Sequence, residues 1–88
     1  MKIDFDPAKD ALNQDKHGIS LKEAALLEWD TALLWFDERK DYGEPRQCAI
    51  AYIDLRLYHV TFVDRGEVRR IISLRKANRK EVNRYAEA

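Results

Sequence analysis

Four short segments of strand character follow one another between Ala32 and Leu74, and this succession constrains the fold more than any other feature. Ala32 to Phe36 is a continuous apolar run of strand length. Gln47 to Ile53 and Leu57 to Val63 follow it, and Asp64-Arg65-Gly66 is a tight-turn signal before residues 67–74. Residues 57–63 and 67–74 are predicted to pair as a hairpin. In the last strand Val68, Arg70, Ile72 and Leu74 alternate with Arg69, Ile71, Ser73 and Arg75, so each set is expected on one face. Residues 37–46, with Gly43 and Pro45 among many charges, read as a turn region.

Helical signals lie on either side of these strands. Lys2 to Phe5 is short and alternating, which predicts an edge strand. Asp6-Pro7 then starts a helix, since aspartate caps free amides and proline suits the first helical position. That helix places Ala8, Ala11 and Leu12 on one side and stops at Gly18. A second helix is expected from the capping-box pattern Ser20-Leu21-Lys22-Glu23, with Ile19 and Ala24 as a hydrophobic staple. Asn78-Arg79-Lys80-Glu81 opens a final helix bearing Val82, Tyr85 and Ala86. The predicted order is β-α-α-β-β-β-β-α, an α+β domain with a mostly antiparallel sheet and helices packed on it. At 88 residues the chain is expected to be a single domain over 1–88.

Composition excludes several classes. The longest apolar run is Cys48 to Ile53, far below the roughly 20 residues of a membrane span. An acid and a proline precede any apolar run, so no secretory signal is expected. One cysteine forms no internal disulfide, which fits a reducing cytoplasm. Formal net charge is zero, yet the charges are divided. Residues 1–64 carry 8 basic and 13 acidic side chains, whereas residues 65–88 carry 8 basic and 3 acidic. The pattern fits an anionic partner, and it fits equally a solvated basic end set against an acidic front.

The candidate chemistry lies in Arg69 to Lys80. Arginine presents a fork of donors that matches phosphate oxygens. Ser73 and Arg75, two apart, point to one side of a regular strand, and Arg79 sits at a helix N-terminus, where amides favour anions. Such a cluster is also what a charged, solvated strand looks like. His17 titrates near neutrality and is a candidate proton-transfer group, although Lys16 and His17 also complement the negative end of the first helix. His59 reads as a packed or sheet-face residue. Cys48 reads as a small buried hydrophobe. No metal-ligand cluster, phosphate loop or cofactor motif is present. A helix-turn-helix reading of the front helices fails because Glu23, Glu28 and Asp30 would face phosphates against Lys22 alone.

Phe5-Asp6-Pro7-Ala8-Lys9, Asn13, Lys16-His17-Gly18-Ile19-Ser20 and Glu23-Ala24 form one motif. Arg70-Ile71-Ile72-Ser73-Leu74-Arg75-Lys76-Ala77 with Glu81 and Tyr85 forms another. Together they resemble the BrnT family, toxins of bacterial type II toxin–antitoxin systems. The resemblance implies a RelE-like fold and an endoribonuclease that inhibits translation. It also implies a BrnA-like antitoxin with a ribbon-helix-helix domain, through which a hetero-oligomer would contact operator DNA. Under that reading His17, Arg70, Ser73, Arg75 and Arg79 are the catalytic candidates. Lys16, Lys76 and Lys80 would hold the RNA backbone, and neither metal nor cofactor is expected. The alternative is a non-catalytic interaction or co-repressor protein whose basic C-terminal region binds an acidic partner or nucleic acid.

Overall fold

A computed structural model describes residues 1–39 and 41–88; Lys40, within the expected turn region 37–46, lies outside the described residues. The strands are β1 (Lys2–Phe5), β2 (Leu33–Phe36), β3 (Gln47–Ile53), β4 (Arg56–Arg65) and β5 (Val68–Lys76). The helices are α1 (Pro7–His17) and α2 (Arg79–Glu87). One mixed sheet has the order β1-β5-β4-β3-β2, with β1 parallel to β5 and the other neighbours antiparallel. The domain is α+β, as expected.

Local signals act where the sequence places them. Asp6 Oδ1 accepts from the Ala8 amide at 2.9 Å, Pro7 opens α1, and Gly18 ends it at φ +71°, a conformation glycine adopts without a Cβ penalty. Gly66, at φ +62°, turns β4 into β5, and Arg65 pairs with Val68 across that turn. At α2 both halves of the capping box form: Asn78 Oδ1 accepts from the Glu81 amide and Glu81 Oε1 from the Asn78 amide, each at 2.9 Å.

Three expectations need correction. The predicted second helix is two 3-10 segments, Leu21–Leu26 and Trp29–Thr31. Its Ser20 hydroxyl accepts from the Lys22 amide, but Glu23 does not return a bond. Instead Asp10 reaches across from α1 and accepts from Ser20 Oγ at 2.9 Å and the Leu21 amide at 2.7 Å. The apolar side of α1 does not pack inward: Ala8 and Ala11 are exposed, Leu12 is 68% exposed, and the one buried residue of α1 is Asn13. Finally, β5 does not alternate throughout. Ser73 pairs with Thr61 and Ile71 with Phe62, so Ile72 is an extra residue, a bulge. The bulge resets the parity, and Ile71 and Leu74, rather than Ile72 and Leu74, are buried together.

The core lies on the face covered by the 3-10 segments. Leu21, Ala24 and Leu27 close over Ala49, Ala51, Val60, Phe62, Ile71 and Leu74. Trp29 stands edge-on to Phe62 with ring centroids 5.3 Å apart. The opposite face buries Cys48, Ile50 and Val63. Over part of it lies α2, which contains no buried residue and is held by its side chains. Tyr85 donates to the Thr31 carbonyl at 3.1 Å and meets Tyr52 edge-on at 5.4 Å. Among the described residues no helix is long and apolar enough to cross a membrane.

Candidate functional site

The bulge at Ile72 decides which side chains share the α2 side of the sheet. Before it, Arg69 turns to the core side, where its guanidinium lies 4.2 Å from the Phe62 ring centre and 4.6 Å from that of Trp29. Arg70 then points to the other side, and after the extra residue so do Ser73 and Arg75. Cross-strand register sets Val63, Thr61 and His59 opposite Arg70, Ser73 and Arg75 respectively. One strand further on, β3 adds Ile50 opposite His59 and Cys48 opposite Thr61, and β2 adds Trp35 opposite Cys48.

Part of this face is a cleft of about 310 Å³ lined by Trp35, Cys48, His59, Arg75, Glu81 and Arg84, with Asp37 to Arg39 at its rim. Larger depressions beside Met1 and Lys2, between α1 and the first 3-10 segment, around Tyr42 and Arg46, and beside Leu33 and Arg84 bring together no arginine with a histidine. At the centre of the cleft Arg75 donates two hydrogen bonds to Glu81, at 2.7 and 2.9 Å. Arg75 is thereby held more firmly protonated than an ordinary arginine, the Glu81 bonds outweighing partial burial. Burial pushes the Glu81 pKa up, but the Arg75 bonds and the Asn78 amide outweigh it and leave Glu81 ionised below the usual carboxylate range.

His59 Nε2 lies 3.8 Å from Glu81 Oε2, and its ring meets Trp35 edge-on at 5.8 Å. Its Nδ1 is buried with no hydrogen-bond partner among the described residues. Burial first, then the charge of Arg75, lowers the His59 pKa against the opposing pull of Glu81, so the ring is neutral at pH 7. Arg84 lies 3.9 Å over the Trp35 ring centre. Cys48 is buried, with Sγ 3.7 Å from Thr61 Oγ1, and desolvation raises its pKa, as suits the small hydrophobe expected there.

The sequence candidates divide into two groups. Ser73 and Arg75 share a face. His17 closes α1, which is moored to β5 by Asn13, and its exposed imidazole lies within electrostatic reach of Arg75. Partial desolvation lowers its pKa, and Lys16 and Arg75 add to the shift, so its imidazole is neutral at pH 7. Arg79 and Lys80 are exposed on the first turn of α2, beside the cleft, and Lys16 is exposed next to His17. Arg70 is elsewhere: five positions along β5, roughly 15 Å from Arg75 at strand rise, it pairs with Asp4 at 2.7 Å. Strand alternation turns Lys76 to the core side, opposite Tyr58.

His59, Glu81, Trp35 and Arg84 were not singled out for the site from sequence. The meeting of His59 with Arg75 depends on cross-strand register, and Glu81 arrives only when α2 folds back over the sheet. In the sequence Glu81 reads as the capping partner of Asn78 and as part of the closing motif, not as a partner of Arg75.

The fold and this cleft define a small α+β protein with an arginine- and histidine-bearing face. Residues 5–81 match the family of the ribonuclease toxin BrnT of type II toxin–antitoxin systems, and the chain belongs to that family. No curated protein matches the chain. Family membership makes it a toxin of the ribonuclease type and implies an antitoxin partner.

Proposed function

We propose that the chain is a metal-independent endoribonuclease that inhibits translation in the cytoplasm and acts in the cleft around Arg75. The observation that carries this reading is the convergence of Arg75, His59 and the Trp35–Arg84 stack on one face, with His17 within electrostatic reach. The RNA 2′-hydroxyl attacks the adjacent phosphorus, the bond to the 5′-oxygen breaks, and the leaving 5′-oxygen takes a proton from water, giving a 2′,3′-cyclic phosphate and a 5′-hydroxyl. His17 accepts the 2′-hydroxyl proton, which a neutral imidazole can do at pH 7. Arg75, released in part from Glu81, meets the phosphoryl oxygens as their negative charge grows, with Arg79 at the α2 N-terminus. Ser73 donates a hydrogen bond to a phosphoryl oxygen or orients Arg75. Trp35 offers a stacking face for a base. Lys16 and Lys80 hold the backbone; Lys76, on the other face at the end of β5, reaches only RNA that runs past that end, and Arg70, paired with Asp4, serves an outlying phosphate.

The fold is read as RelE-like. The partner is read as a BrnA-like antitoxin with a ribbon-helix-helix domain, and the hetero-oligomer reaches operator DNA through that domain. Incubating the purified chain with RNA in EDTA tests the chemistry: cleavage with cyclic-phosphate and 5′-hydroxyl ends supports it, and cleavage abolished by EDTA but restored by a divalent ion contradicts it.

One observation favours a second reading, a non-catalytic co-repressor whose basic C-terminal region binds an acidic partner or nucleic acid. Glu81 already occupies the Arg75 fork in the way an acidic ligand would. Tight, salt-sensitive RNA binding without cleavage by the free chain would select it.

A further inference from the structure

The edges of the sheet include β1, the end of β5 beyond it, β2, and the end of β3 beyond β2, where the Glu28 amide takes the Tyr52 carbonyl; the first two are sealed by side chains. Along β1, Lys2 and Asp4 place charges on the strand, and the Phe5 amide is taken by Asp4 Oδ1 at 2.7 Å. Where β1 stops short, the exposed edge of β5 is closed by Asn13, whose amide group bonds both the carbonyl and the N–H of Leu74. Charge and local hydrogen bonding are the ordinary means by which edge strands avoid unwanted pairing.

The third edge, β2, has neither. It reads Leu33-Leu34-Trp35-Phe36, with no charge and no proline. The Asp37 amide bonds the Arg46 carbonyl at 2.8 Å, which fixes the phase of the β2–β3 ladder. Leu33 and Trp35 therefore bond inward to β3, and the N–H and C=O groups of Leu34 and Phe36 point away from the sheet. Sealing ends just before them, where Tyr85 takes the Thr31 carbonyl. The side chains of Leu34 and Phe36 are 42% and 57% exposed. On the opposite face of this edge Leu33, Lys80, Arg84 and Glu87 border a depression of about 390 Å³.

We infer that β2 is the docking edge for the antitoxin, which adds an extended segment to the sheet as a sixth strand. Alternation along such a strand sets one row of its side chains beside Leu34 and Phe36 and the other beside Lys80 and Arg84. The segment is therefore apolar on one face and acidic on the other. A second copy of this chain fits less well, because two β2 edges paired about a twofold axis bring both Lys80–Arg84 pairs onto one side, like charge to like. The inference rests on the antitoxin that family membership implies and not on the cleavage site.

The test uses the complex with the protein encoded by the adjoining reading frame, co-expressed and purified with this chain. Amide hydrogen exchange at Leu34 and Phe36 is expected to slow at least a hundredfold in the complex relative to the free chain. Leu34→Pro removes an outward N–H, which an edge strand tolerates, and is expected to weaken the complex about a hundredfold while RNA cleavage by the free variant is unchanged. Glu87→Lys is expected to tighten it several-fold. Equal exchange at both amides in the free and bound chain overturns the inference, whether or not Leu34→Pro folds. Protection of the two amides by self-association of the free chain overturns it in favour of a second copy. Loss of cleavage by wild-type chain, with the amides still protected by the partner, would overturn the cleavage reading alone.

Discussion

The side chain of Asn13 pairs with the backbone of Leu74, 61 residues away, as a strand would. Nδ2 donates to the Leu74 carbonyl at 2.8 Å, and Oδ1 accepts from the Leu74 N–H at 3.2 Å. A third bond, from Nδ2 to the Ile19 carbonyl at 2.9 Å, ties the same side chain to the residue after the α1 cap. With Leu12 exposed, these polar contacts and those of Asp10 position α1, and with it His17, against β5.

Asn13→Ala, at the one buried position of α1, is therefore expected to be costly. It leaves a buried N–H and carbonyl of Leu74 without partners, a loss of about 2–4 kcal/mol by chemical denaturation. Cleavage should fall as well, because His17 loses its mooring beside Arg75. A loss below about 0.5 kcal/mol would show that α1 is held by other contacts.

His59 should make the fold sensitive to mild acid. Burial depresses its pKa below the usual 6.5, so the unfolded chain binds the proton more readily than the folded one. Stability is full above about pH 6.5 and declines as pH falls from there towards the folded-state value. In thermal melts between pH 7.5 and 5.5, His59→Phe should lose less of its transition temperature than the wild type. Parallel pH profiles of the two proteins would count against a buried neutral imidazole.

Asp37 governs a lower window. Its carboxylate accepts two bonds from the Arg39 side chain, at 2.9 and 3.0 Å, and others from the Arg39 amide and Tyr42; with the Arg39 side-chain bonds the largest cause, its pKa is lowered from 3.8 to about 2. Its contribution is present above about pH 4 and disappears as pH falls through about 2. Asp37→Asn should flatten the acid limb of the stability curve in that interval and leave the limb near pH 6 unchanged. An unaltered acid limb would mean that the rim pair does not stabilise the fold.

Much of the scaffold was legible in the sequence because its signals are local. Asp6-Pro7, Gly18, the turn at Gly66 and the box at Asn78 each act within a few residues, and each is found where expected. The features that were not legible depend on distance or parity. Nothing in Ile71-Ile72-Ser73 distinguishes a bulge from a regular strand, yet one extra residue moves Leu74 to the core beside Ile71 and leaves Ser73 and Arg75 on the α2 side. The apolar pattern of α1 pointed Leu12 inward, whereas a single asparagine bonded to β5 turns the helix the other way. At the site, Arg75 was visible as part of a basic cluster. Its relation to His59 and Glu81 required the register of β4 with β5 and the return of α2.

The central claim is that the cleft around Arg75 cleaves RNA, and the most direct measurement is the single-turnover cleavage rate of Arg75→Ala beside the wild type, in EDTA. The cleft account predicts a rate lower by about 10²–10³-fold, the usual effect of removing a group that stabilises developing negative charge, with a cooperative thermal transition retained. A folded Arg75→Ala protein that cleaves within threefold of the wild-type rate would contradict it.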